Sequence, residues 1–172
     1  MITERKQFFI DALKAHYQQT ISGAHQAESR AAETAAEIQS DARRKEDAKG
    51  AVEFNRMAAG HKGRRERAKK ELETLIVFAK RGVRAYASGA PVQVGAMVDV
   101  SIEGDEGTEE RTLFILPVGA GKELTGPGGD GFIFVITPAS PVGKAIQGAR
   151  AGDSVEVVIG GKDRAWTVVD VC

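Results

Sequence analysis

The chain has 172 residues, with 24 Lys/Arg balancing 24 Asp/Glu, and 42% of it is hydrophobic but only 6% aromatic. That length suits one or two domains with a real core, and the single cysteine, Cys172, excludes an internal disulfide framework. No stretch approaches the ~18 apolar residues of a membrane span, and Met1-Ile2-Thr3-Glu4-Arg5-Lys6 lacks a signal peptide's apolar run, so the expectation is a cytoplasmic chain with no membrane partner.

The zero net charge hides a division. Residues 1–82 hold 17 Lys/Arg and 12 Asp/Glu, whereas residues 83–172 hold 7 and 12. All five prolines lie from Pro91 onward. Two modules with different surfaces follow from that asymmetry.

The first module is rich in Ala, Glu, Lys, Arg and Gln, the strong helix formers. Phe9, Leu13, Tyr17, Ile21 or Thr20, Ala24, Ala27, Ala31, Ala35 and Ile38 recur at steps of three and four. Phe54, Met57, His61, Arg65, Ala68, Leu72, Leu75 and Ala79 do the same further on. This is the seam of a coiled coil, interrupted at His61 and Arg65. Between the two runs, residues 40–50 are charged and carry no large apolar side chain. A reversal there sets Phe9 and Leu13 opposite Leu75 and Ala79, so residues 1–82 read as an antiparallel helical hairpin with its tip near 41–50. At roughly 1.5 Å per residue, such an arm reaches on the order of 50 Å. Phe8, Phe9, Leu13, Tyr17, Leu72, Leu75, Ile76 and Phe78 gather at its open end, and alanines dominate towards the turn.

Residues 83–92 read as a linker. Strands are then predicted at 96–103, 111–118, 132–137, 154–159 and 165–171, with Gly160-Gly161-Lys162-Asp163 as a hairpin turn. Gly126-Pro127-Gly128-Gly129-Asp130-Gly131 reads as a hairpin connection, and Trp166 alternates with Val168 as a core residue. Gly119-Ala120-Gly121-Lys122 is not a phosphate loop: no Gly stands five residues before Gly121, and Glu123 occupies the Ser/Thr position. His16, His25 and His61 are isolated along the helices. Between two strands, Ser140 can cap a short helix whose first turn accepts Pro141, and Gly148 and Gly152 can end it. Residues 93–172 therefore make an α+β domain with a mostly antiparallel sheet and one short helix.

The stretch Ser140-Pro141-Val142-Gly143-Lys144-Ala145-Ile146-Gln147-Gly148 resembles the S-P-[IV]-G-[KR]-A-[LI]-x-G signature of the bacterial Gre transcription elongation factors, GreA and GreB. The likeness continues through Ala151-Gly152-Asp153-Ser154-Val155-Glu156-Val157 and Gly160-Gly161-Lys162. With the helical hairpin, it covers essentially the whole chain. The resemblance implies an FKBP-like C-terminal domain that docks on RNA polymerase, with Ser140, Pro141, Val142, Gly143 and Lys144 as the docking turn. It implies that the coiled coil enters the secondary channel as a monomer and brings its tip to the active centre and the transcript 3′ end. The factor is then no enzyme itself but at most stimulates the polymerase's own RNA cleavage. It holds no stable cofactor, and Mg²⁺ is shared with the polymerase active site.

At the tip the chain departs from the family's approximate G-D-L-S-E-N-A-E-Y. Matching Ala51-Val52-Glu53-Phe54 to N-A-E-Y puts Asp47 on the Asp and Gly50 where the Glu stands; laying Asp41 on the Asp instead puts Arg44 there. Asp47, Glu46 and Asp41 are the acidic candidates, and both a cleaving and a non-cleaving tip stay open. The basic run with Lys62, Arg64, Arg65, Arg67 and Lys69 either faces RNA or the acidic channel, or is a solvated helix face with pairs such as Glu66 to Lys70. A peptidyl-prolyl isomerase would need an aromatic cavity from Phe114, Phe132, Phe134 and Trp166, and an oligomerising coiled coil would need no polymerase at all.

Overall fold

Helix-forming composition carries α1 through Ile2–Asp41 and α2 through Lys49–Lys80. The computed structural model describes residues 1–41, 48–104 and 107–172. These divide into two compact units, one made of Met1–Leu13 with Thr74–Cys172 and the other of Lys14–Glu73.

In the unit Lys14–Glu73 the two helices run antiparallel. Glu28 meets Arg65, Tyr17 lies beside Glu71, and a Cβ built on Gly50 would touch Ile38 at 3.4 Å. Residue numbers rise on one helix as they fall on the other, as the predicted reversal requires. Tyr17, Ala24, Ala31 and Ala35 of α1 are buried, as are Ala51 and Ala68 of α2. The seam on α2 differs from the predicted one at a single place. Met57 is 46% exposed, and the half-buried position is Ala58. Positions 51, 54, 58, 61, 65, 68, 72, 75 and 79 then alternate strictly in steps of three and four, a regular heptad that a larger side chain one residue away had disguised.

In the other unit six strands form one sheet in the order β3-β4-β2-β1-β6-β5. They are β1 (Met97–Gly104), β2 (Gly107–Ile115), β3 (Glu123–Thr125), β4 (Phe132–Ile136), β5 (Ser154–Ile159) and β6 (Lys162–Val171). All pairings are antiparallel except β2 with β4. Ile159 pairs with Lys162 across Gly160 and Gly161, whose φ angles of 61° and 77° suit a two-residue hairpin turn. β3 has only three residues and was not predicted; Glu-Leu-Thr is too short to show alternation. A single 3-10 turn at Pro127–Gly129 then joins it to β4.

Val98, Val100 and Ile102 of β1 point to one face and share a core with Leu113, Ile115, Trp166 and Val168. The helix α3 (Pro141–Ile146) closes that core with Val142 and Ile146. The stretch read as a linker is tied in at its end: Val92 is buried, its N–H donates to the Ala149 carbonyl, and its own carbonyl accepts from Gly148. Phe9, Ile10, Leu13 and Leu75 are fully buried at the helical end of the unit. Gly119 fits there because a Cβ would stand 2.9 Å from Leu13 and 3.3 Å from Val135. Phe8, expected in this cluster, is 41% exposed, and Ile76 lies at the surface as well. Lys6 takes a buried place that no apolar pattern marked.

Candidate functional site

The turn before α3 is built by side chain and backbone together. Ser140 has extended backbone, its Oγ accepts from the Gly143 N–H at 3.0 Å, and it donates to the Thr137 carbonyl at 2.7 Å. Pro141 follows at the first helical position, where its missing N–H leaves nothing unsatisfied. Gly143 is enforced by proximity, since a Cβ there would stand 2.0 Å from the Thr137 oxygen. Val142 and Gly143 are buried, whereas Pro141 and Lys144 are exposed and Ser140 is half-buried. Of the five residues expected to dock, Val142 and Gly143 thus hold the turn onto the core, and the exposed surface of the turn comes from Pro141, Lys144 and the neighbouring Gln147.

At the other candidate site Asp41 is exposed and ends α1. Asp47 and Glu46 lie outside the described residues. Gly50 sits in the first turn of α2 and faces Ile38, so a side chain added there would begin in ordinary contact with that residue. Among the described residues, no group of three or more His, Cys, Asp or Glu is placed to hold a metal ion. The described side chains thus do not by themselves form a Mg²⁺ site.

The basic run resolves into two kinds of residue. Lys62, Arg64 and Arg67 are exposed. Arg65 turns inward: its Nε stands 3.0 Å from Glu28 Oε2 and its Nη2 donates to Glu28 Oε1 at 3.3 Å, with both side chains about four-fifths buried. It bridges the helices at the very position where a cation interrupts the seam. Lys69 pairs with Glu66 at 3.6 Å on the same helix. Tyr17, also in the seam, is held neutral, because burial first and the Glu71 carboxylate second push its ionisation upward.

The four aromatics of the isomerase reading do not converge. Trp166 is in the core and Phe114 is buried beside one cleft, while Phe132 is 53% exposed and stacks edge-on with Phe134 at another edge of the sheet.

Sequence reasoning missed Lys6. It is fully buried, its Nζ donates to the Arg84 carbonyl at 2.8 Å, and the ammonium lies 4.7 Å from the centre of the Tyr86 ring. Burial draws its pKa down to about 8. Flanked by Arg5 and Gln7, it offered no signal beyond one cation on the apolar side of an amphipathic helix.

Three comparisons bear on these features. Residues 89–172 match the family model for the C-terminal part of the GreA/GreB transcription elongation factors. Transcription elongation factor GreA of Rhodospirillum rubrum is 36% identical over 102 residues, which span 59% of this chain and 59% of that relative. Among solved structures, GreA factor homolog 1 of Thermus thermophilus is 18% identical, covers 92% of this chain and 94% of its own, and overlays with a TM-score of 0.35. A GreA/GreB factor of Nitrosomonas europaea is 24% identical over 62% of this chain and 91% of its own, at a TM-score of 0.32. Overlays this loose establish nothing about the fold. The match at 89–172, just under half of the chain, takes in the capped turn, its enforced glycine, the Gly160-Gly161 hairpin and the whole sheet, and it is this C-terminal domain that is similar to the GreA/GreB transcription elongation factors.

Proposed function

We propose that the protein is a transcription elongation regulator that binds RNA polymerase through its C-terminal sheet domain. The helical hairpin then enters the secondary channel and acts on the active centre from its tip. The observation that carries this reading is the family match of residues 89–172 in a chain that also has the long helices Ile2–Asp41 and Lys49–Lys80. The exposed Pro141 and Lys144 are the contacts of the docking turn. The exposed Lys62, Arg64 and Arg67 meet acidic surface or RNA, an interaction that salt weakens.

The tip acts without strong cleavage of its own. Hydrolysis assisted by a shared cation requires hard oxygen ligands, usually more than one carboxylate from the assisting protein. Gly50 stands where the second carboxylate belongs, and its helical place against Ile38 leaves no donor there.

The test uses core polymerase stalled in a backtracked complex with Mg²⁺. The protein is expected to bind and to alter elongation while leaving transcript 3′ ends intact. Gly50→Glu is expected to introduce cleavage, and Asp47→Ala in that background to remove it. Cleavage by the unaltered protein, lost on Asp47→Ala or Glu46→Ala, would establish the opposite reading of the tip. No binding to polymerase would sink both. Pro141→Ala and Lys144→Glu should weaken binding while circular dichroism stays unchanged.

A further inference from the structure

A cleft of about 500 Å³ opens beside the C-terminal end of α2, and none of the residues lining it belongs to the capped turn. Thr74, Val77, Phe78 and Arg81 form one wall, and their spacing of three, four and seven puts them on one helix face. The segment carrying Arg84 and Tyr86 forms the other wall, and the fully buried Phe114 lies at the floor. Val77, at the lip, is 54% exposed although it is a large aliphatic residue.

The shape is built rather than incidental. Gly95 has a φ of +95°, and a Cβ there would stand 3.1 Å from the Tyr86 hydroxyl and 3.4 Å from the Phe78 ring. Any other residue would be strained by that φ and would crowd the Tyr86 hydroxyl while resting against the Phe78 ring. Tyr86 is pinned by its hydroxyl, which donates to the Val94 carbonyl at 2.9 Å, and by the Lys6 ammonium over its ring. A wall fixed in this way costs little ordering when something binds.

The charge is one-sided. Arg81 and Arg84 are exposed, and no carboxylate occurs among the described residues that line the cleft. We propose that this cleft binds an acidic segment of a partner protein. One bulky apolar side chain of the segment enters between Phe78 and Tyr86, and flanking carboxylates meet Arg81 and Arg84. Apolar walls with two cations at the rim fit a peptide that brings its own hydrophobic anchor. They fit single-stranded RNA less well, because Phe114 is fully buried and a face of Tyr86 is taken by Lys6, so rings free for base stacking are few.

The proposal goes beyond the polymerase reading and is tested without polymerase. The full chain is titrated into a fluorescein-labelled synthetic peptide with a Leu-Phe centre flanked by glutamates, and anisotropy is followed. Binding is expected, and the Arg81→Glu/Arg84→Glu variant should bind at least about tenfold more weakly, since one charge-assisted contact is worth roughly that factor. Val77→Asp, a change at an exposed position, should weaken it as well. A peptide with lysines for glutamates, and one with alanines for Leu-Phe, should both bind poorly. The proposal is overturned by absence of binding, by equal affinity for the lysine peptide, by variants that bind like the unaltered chain, or by tighter binding of a single-stranded RNA oligonucleotide that competes at the same residues. Circular dichroism of each variant checks that the fold is intact, and Lys80→Glu, outside the lining, serves as the charge control.

Discussion

Replacing Lys6 by methionine should change how stability depends on pH, with a sign opposite to that of an ordinary surface lysine. The side chain is fully buried, with one carbonyl acceptor and one ring, and its pKa falls from 10.5 to about 8. Below about pH 8 both the folded and the unfolded chain hold the proton, and the folded state bears the full cost of a desolvated ammonium. Between pH 8 and 10.5 the unfolded chain holds more protons than the folded one, so stability rises with pH. A shift of this size amounts to about 3 kcal/mol over the whole window, and roughly 2 kcal/mol of it falls between about pH 7.5 and 9.5.

Two neighbours titrate nearby and must be separated. Burial raises both the Cys172 thiol and the Tyr86 phenol above their usual ranges, and each makes stability fall with rising pH as it loses its proton. The comparison is therefore made below about pH 10 and in a Cys172→Ser background. Urea unfolding of that background with and without Lys6→Met gives the difference directly. Near pH 7.5 the two chains should be close. The methionine removes the buried charge but leaves the Arg84 carbonyl without its donor, a loss of about 1–3 kcal/mol that offsets the gain. By about pH 9.5 the lysine chain should have gained about 2 kcal/mol on the variant. Parallel stability curves across that interval would refute the reasoning, for they would mean that Lys6 reaches water.

The other expectations concern the turn and the seam. Gly143→Ala should cost about 2–4 kcal/mol, because its Cβ would stand 2.0 Å from the Thr137 oxygen and the helix must shift; a thermal melt measures it, and an unchanged midpoint would show that the turn can relax. Ser140→Ala should cost about 1–2 kcal/mol through loss of the cap, with Ser140→Asp recovering the Gly143 bond but not the one given to Thr137. Arg65→Met should destabilise by about 1–3 kcal/mol, leaving Glu28 unpaired in the seam, and adding Glu28→Leu should restore most of it. Additive losses in that double-mutant cycle would show that the two side chains do not interact.

Much of this architecture is legible in the sequence because its signals are local. The heptad announces the helical pair, a charged stretch without large apolar residues marks its reversal, and Gly160-Gly161 marks a hairpin. What escaped depends on three-dimensional company. Ala58 rather than Met57 faces the other helix because a heptad follows geometry before size. Three-residue β3 exists only because β4 offers it a ladder. Lys6 is buried because Arg84 and Tyr86, far along the chain, supply its carbonyl and its ring, and no local window contains all three.

The turn itself shows why a family signature is a better guide to fold than to action. Val142 is buried in the core, Gly143 has no room for a side chain, and the Ser140 hydroxyl makes both its hydrogen bonds inside the turn. Selection for stability alone would hold these three. On the proposed reading, the contacts to polymerase fall to the exposed Pro141 and Lys144 beside them, and the chemistry falls to the tip. Loss of polymerase binding in Gly143→Ala would therefore say little, because an unfolded turn explains it. Loss in Lys144→Glu with an unchanged melting midpoint would identify a contact. Gly50→Glu applies the same logic to the tip: it adds a carboxylate at a helical position with room to accept one, so new cleavage would isolate the missing group from every other difference in the chain.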